Sequence, residues 1–344
     1  MMAWRGIAAL AASGLSLLAA CFAPALAQSP PAPETVTLRV PEYATFRTLV
    51  AGGSDVVLSV PATLDFPRQS QPRYPAVVVM HSAEGLGPAE SGAALHLNAA
   101  GYATLLVNSY QPRPHLMPMA IQGGKFAPPA FIIPQYGDAV RALLHLSEHP
   151  RIDPARIAII GFSVGGQVSI LAAAAQLPAA FLGNRTGTAA PRFAAHVAFY
   201  PSLHAALVPP RGKIASPMLI LLGGKDNFQH PERVTNWVGH LRAREAAGMI
   251  TLKTYPDAYH GWAAGRPYGR ADWVGSAGRC PTLLLGGDRV DLLTAQGVTV
   301  AWTPETDKEL YETCTIRGAE VAGDAGVTSQ SFADMVLFLG NALR

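Results

Sequence analysis

The 344 residues carry 26 Lys and Arg against 23 Asp and Glu, a formal charge of +3, and are 49% hydrophobic and 14% charged. Such a chain can bury a large core and is not disordered. Its basic residues are scattered, so the electrostatic footprint of a nucleic-acid binder is missing and no nucleic-acid partner is expected. No later segment keeps about 18 apolar residues together, so no membrane span is expected in the mature protein.

In chain order, residues 1–27 read as an export signal peptide. Arg5 supplies a positive charge, an apolar stretch of small residues follows, and Ala-Leu-Ala ends at Ala27 before a Pro-rich tether over 28–34. Cleavage after Ala27 is the preferred reading. Leu18–Cys21 resembles a bacterial lipoprotein box, and processing there would leave a lipid anchor on Cys21. Either route makes the protein periplasmic or secreted and leaves Cys280 and Cys314 as the thiols of the mature chain. In an oxidising compartment these two are expected to pair as a disulfide. No second cysteine pair or nearby histidine supplies zinc ligands, so no metal is expected, and no cofactor either.

Beyond the tether, 35–40 and 55–66 alternate apolar and polar residues, the pattern of half-exposed strands. The runs ending at His81 and Ser109 are apolar throughout, as strands buried on both faces of a parallel sheet are. Helical spacing fills 88–101, 135–149, 167–177, 231–248 and 331–343, and further strands are expected at 156–163, 193–201, 216–224 and 250–258. Strands alternating with helices predict an α/β fold, a mostly parallel sheet with helices on both faces, over residues 35–344. Residues 266–328 break this alternation, hold both remaining cysteines and are too long for a plain loop, so they read as an insertion with its own small structure.

The chemistry concentrates at Gly161-Phe-Ser-Val-Gly165. G-x-S-x-G is a weak signal by itself; its weight comes from the strand before it and the helix after it. At so sharp a turn the serine takes a strained backbone and its neighbours must be small. A serine hydroxyl needs a histidine to accept its proton and a carboxylate to orient that histidine, in the order Ser, acid, His. Asp226 and His260 each follow a strand, on the sheet edge shared with Ser163. His81, His96, His145, His149, His196 and His204 compete for the role of base and Asp257 for that of acid, but none fits order and placement as well. Val164 and Ala83 are the candidate backbone donors of an oxyanion hole. Tyr110, Arg113 and Trp262 follow strand ends on the same edge and are candidate substrate-pocket residues, with ordinary packing as the competing reading.

Several segments together resemble the dienelactone hydrolase family of α/β-hydrolases. They are VVVMHSAEGLG, AAGYATLLVNSYQPRP, GFSVGG, HVAFYP, PMLILLGGKDNF and LKTYPDAYHGW, in order over residues 70–262. The resemblance implies the α/β-hydrolase fold, a triad of Ser163, Asp226 and His260, and action on a small-molecule ester or lactone. Family members that open dienelactones use a cysteine nucleophile and a glutamate in the oxyanion loop. Here those places fall to Ser163 and Ser82, so a serine esterase mechanism is expected rather than dienelactone hydrolysis. A serine peptidase, or a non-catalytic envelope binding protein on the same fold, are the alternatives. A nucleotide-binding protein is the poorer rival, because GFSVGG and GGKD lack the residues of phosphate-binding loops.

Overall fold

Four strands in a row have no side chain open to water along most of their length: β3 (Tyr74–Met80), β5 (Ile152–Phe162), β6 (Ala195–Phe199) and β8 (Met218–Gly223). They lie in the middle of the sheet of a computed structural model, which describes residues 31–42, 55–116, 129–173, 191–207, 214, 216–276, 279–285, 290–294, 296–303, 313–314 and 316–344. Residues 1–27, read from sequence as a signal peptide and including Cys21 and Ala27, and residues 28–30 of the Pro-rich tether lie outside the described residues.

The central sheet has eight strands in the order β1-β2-β4-β3-β5-β6-β8-β9. β1 (Glu34–Pro41) and β2 (Val57–Asp65) run antiparallel to their neighbours, while β4 (Ala103–Val107) to β9 (Ile250–Tyr255) pair in parallel. β1 and β2 bury every second residue, as one-sided strands must.

Alternate residues of the buried strands feed two opposite cores. Val78 and Met80 pack with Val140, Leu143 and Val168 of α2 (Pro129–Glu148) and α3 (Val164–Leu171). Val77 and Val79 pack with Ala93, Leu97, Met335 and Leu339 of α1 (Pro88–Ala99) and α5 (Ala325–Ala342). α4 (Glu232–Arg242) buries Val234, Trp237 and Val238 against Ile220 and Leu222 on the α3 side. This is the α/β-hydrolase fold, with helices on both faces of a mostly parallel sheet.

Three helices start earlier than the sequence spacing suggests, and α3 does so at Val164, directly after Ser163. α2 runs through Pro134, a residue that ordinarily ends a helix, and so begins at Pro129. α5 begins at Ala325, inside the range read as insertion, because Asp324 caps it: its carboxylate accepts the Val327 N–H at 2.9 Å.

The segment between the 3₁₀ turn Trp262–Ala264 and α5 is built of strands. β10 (Gly269–Ser276) pairs antiparallel with β14 (Ile316–Val321). β11 (Thr282–Leu285), β12 (Val290–Leu293) and β13 (Thr299–Ala301) form a meander whose first strand lies parallel to β7 (Ala205–Leu207). Cys280 and Cys314 are joined by a disulfide within it. Among the described residues, no helix is long and apolar enough to cross a membrane.

Candidate active site

Ser163 occupies the single residue between β5 and α3, at φ 52°, a backbone state that costs a non-glycine residue about 1–3 kcal/mol. Its N–H donates to the Phe199 carbonyl of β6 at 3.0 Å, which holds the turn in place. Close approach explains the following glycine: a Cβ on Gly165 would stand 2.3 Å from the Met80 carbonyl oxygen. The elbow therefore abuts the end of β3, where the next loop begins.

The two partners arrive from the ends of β8 and β9. Asp226 sits in a turn closed by its own N–H to the Gly223 carbonyl at 3.2 Å. Its Oδ1 accepts the N–H groups of Phe228 at 3.0 Å and Gln229 at 2.8 Å, and its Oδ2 faces His260 Nδ1 at 2.8 Å. The other ring nitrogen, Nε2, lies 3.0 Å from Ser163 Oγ. A carboxylate can only accept, so Nδ1 carries the proton and Nε2 presents its lone pair to the serine hydroxyl. The structure thus brings Ser163, His260 and Asp226 into one hydrogen-bonded chain. All three are buried, at 5–6% exposure.

Val164 is the first residue of α3, and the N–H groups of a first helical turn have no intrahelical acceptor. Ala83 lies in the tight turn closed by the Gly85 N–H to the Ser82 carbonyl at 3.2 Å, packed against the core cluster that contains Val164. A Cβ on Gly165, next to Val164, would also stand 2.8 Å from the His81 carbonyl oxygen, so the two candidate donors sit on adjoining segments.

Asp257, the competing acid, is exposed and pairs with Lys225 at 2.8 Å. His81, a competing base, is fully buried beside the Ser82–Gly85 turn. Its Nδ1 lies 2.7 Å from the Ser82 carbonyl, and its Nε2 accepts the Ser109 N–H at 3.2 Å. Burial pushes its pKa down to about 4, so it is a neutral brace.

A match to a protein-family model decides what kind of chain this is: residues 60–273, more than half of the sequence, fit the dienelactone hydrolase family. The chain belongs to the dienelactone hydrolase family. Its fold is shared by a dienelactone hydrolase-like promiscuous phosphotriesterase from metagenomic libraries, 17% identical, covering 91% of this chain and 100% of that one with a TM-score of 0.52. The protein m3DLH is 20% identical over 91% of this chain and 100% of its own, also at 0.52. Esterase 2 of Thermogutta terrifontis, in a form phosphorylated by paraoxon, is 16% identical over 67% of this chain and 85% of its own, at 0.46. No curated protein matches the sequence.

Within this family framework, the three pocket residues expected from sequence need correcting. Arg113 is 2% exposed, and its two terminal nitrogens reach the Asp138 carboxylate at 2.9 and 3.1 Å. Its charge is spent inside the fold, so it is no free cation for a substrate. Trp262 is fully buried, donates its indole N–H to Ser331 Oγ at 3.1 Å, and packs edge-on against Tyr200 at 4.5 Å. Tyr110 is buried with its ring against His81 at 4.5 Å. Each of the three follows a strand end but turns inward rather than out over the edge.

The structure also adds residues that sequence reasoning missed. Phe228 and Tyr200 meet the His260 ring edge-on at 4.9 and 5.1 Å. Glu90 on α1 is 2% exposed, and its two oxygens accept the N–H groups of Ser82 at 3.0 Å and Gly87 at 2.9 Å. Burial raises its pKa, partly offset by those N–H donors. The signal for Glu90 was present as a carboxylate three residues after the N-cap Gly87, the half of a capping box that reaches back to the N-cap N–H.

Proposed function

We propose that the protein is a serine hydrolase that cleaves carboxylic esters or lactones through an acyl-enzyme. The observation that carries this reading is the chain from Ser163 Oγ to His260 Nε2 at 3.0 Å and from His260 Nδ1 to Asp226 Oδ2 at 2.8 Å. Those distances match a nucleophile, a base and its orienter.

Ser163 Oγ attacks the ester carbonyl as His260 Nε2 takes its proton. Asp226 stays ionised and stabilises the imidazolium it orients. The carbonyl oxygen, now an oxyanion, is held by the N–H groups of Val164 and Ala83, close to the N-terminus of α3. The intermediate collapses, the C–O bond to the alcohol breaks, and the departing alkoxide takes the proton from His260 Nε2. A water then attacks the acyl-enzyme, giving its proton to His260, and the second collapse frees the acid and returns the proton to Ser163.

Serine and not cysteine at position 163, with Ser82 in the oxyanion loop, favours ordinary esters over dienelactone as substrates. Export is part of the proposal: the Arg5-led apolar leader favours it, as does the Cys280–Cys314 cystine, of a kind that persists in oxidising compartments. The test is steady-state hydrolysis of short-chain nitrophenyl esters by the wild type and by Ser163→Ala and Asp226→Asn. Each substitution is expected to lower kcat by at least about a thousandfold with the fold intact. Equal rates for wild type and Ser163→Ala would end this reading.

A further inference from the structure

Asn227 directly follows Asp226, yet its side chain bonds to a residue far along the chain, outside its own loop. Its Nδ2 donates to Glu320 Oε2 at 2.8 Å, and its Oδ1 accepts the Glu320 main-chain N–H at 2.8 Å. Glu320 belongs to β14, in the cystine-containing segment. The residue after it, Val321, forms a β-bridge with His260, and the Ala322 N–H donates to the His260 carbonyl at 3.4 Å. One strand therefore touches both the neighbour of the acid and the base itself.

That strand is itself well anchored. Its partner β10 ends at Ser276, whose hydroxyl donates to the Phe228 carbonyl at 2.7 Å. Glu320 Oε1 accepts the Tyr268 hydroxyl at 2.5 Å. Between β10 and β14 the chain is closed by the Cys280–Cys314 disulfide, and Arg233 of α4 holds the Cys280 and Pro281 carbonyls at 2.8 and 2.9 Å.

We infer that β14 is a positioning strap, and that Asn227 and Glu320 are positioning residues which set the Asp226–His260 hydrogen bond from a part of the chain that carries no reacting group. The inference rests on the ester hydrolase reading above. Asp226 and His260 stand on two separate loops, and loops move more than the strands they follow. A displacement of about 1 Å at such a pair costs on the order of a hundredfold in rate. Asn227 supplies a donor and an acceptor to one partner residue, so its loop can neither slide along β14 nor lift from it without breaking a bond.

The test reverses the polarity of the side-chain contact. Asn227→Asp sets a carboxylate against that of Glu320 and breaks the grip. Adding Glu320→Gln supplies the missing N–H donor and keeps an oxygen for Tyr268. Two readouts are followed: ester turnover, and the low-field proton resonance of His260 Nδ1–H. Asn227→Asp is expected to lower kcat about 10- to 100-fold with KM little changed, and to shift the resonance. The double variant is expected to restore both. A kcat and a resonance that stay at wild-type values in Asn227→Asp would overturn the strap. So would a loss that Glu320→Gln does not reverse while melting temperature is restored. If the wild type hydrolyses no ester, the hydrolase reading fails by itself, and the resonance still decides whether the strap orders His260.

Discussion

Gly161 and Gly165 meet across the elbow so closely that a Cβ on Gly161 would stand 2.0 Å from the Gly165 carbonyl oxygen. The obstruction is backbone, so no side-chain rotation relieves it. Gly161→Ala must therefore push the end of β5 away from the start of α3. It is expected to cost about 3 kcal/mol in urea unfolding and to abolish ester turnover even where protein remains folded. Wild-type stability in that variant would mean that the turn is looser than the contact implies.

Much of this site is legible in the sequence, and the reason is physical. Ser163 stands at a strand-to-helix junction whose glycines are forced by contact, while Asp226 follows the buried strand β8 and His260 the edge strand β9, so position along the chain fixes position on the sheet edge. What could not be read is direction. Arg113, Trp262 and Tyr110 sit at strand ends as expected, but nothing in their spacing says that they turn inward to Asp138, Ser331 and His81. The contacts of Asn227 and Glu320 span 93 positions, beyond the reach of any local pattern.

The inward turn of Arg113 has a measurable consequence. Arg113→Met leaves the Asp138 carboxylate buried without its partner and is expected to cost about 3–5 kcal/mol, whereas replacing both residues with apolar ones of similar volume is expected to cost far less. KM for anionic and neutral esters should change alike in the double variant. A selective rise in KM for anionic esters would restore Arg113 to a substrate-binding role.

Glu90 tests whether the loop proposed to hold the oxyanion needs its brace. Gln at this position keeps one acceptor oxygen but turns an amide N–H₂ toward the other backbone donor, so Ser82 or Gly87 loses its partner. Glu90→Gln is expected to lower kcat on the order of tenfold with KM nearly unchanged, since the Ala83 donor matters most when charge develops on the oxygen. A change confined to KM would place Glu90 in substrate binding instead.

Two buried histidines predict how stability depends on pH. His81 and His196 are both held at about pKa 4 by burial, against 6.5 for an ordinary histidine. His196 Nδ1 faces the Ser169 carbonyl at 3.0 Å. Both are neutral when folded and take up a proton on unfolding below pH 6.5. Their contribution is thus complete above pH 6.5 and is lost as pH falls toward 4, by about 3 kcal/mol each. Urea titrations at pH 7 and pH 5 should show a large fall for the wild type and a smaller one for His196→Gln. The same fall in both would contradict the assignment.

The most direct measurement is intact-protein and peptide mass spectrometry of the purified mature protein after brief exposure to a fluorophosphonate, beside Ser163→Ala. The account predicts one adduct, on the peptide that carries Ser163, absent from the variant. Folded wild-type protein with no adduct, or an adduct that persists in Ser163→Ala, would contradict the claim that Ser163 is the nucleophile.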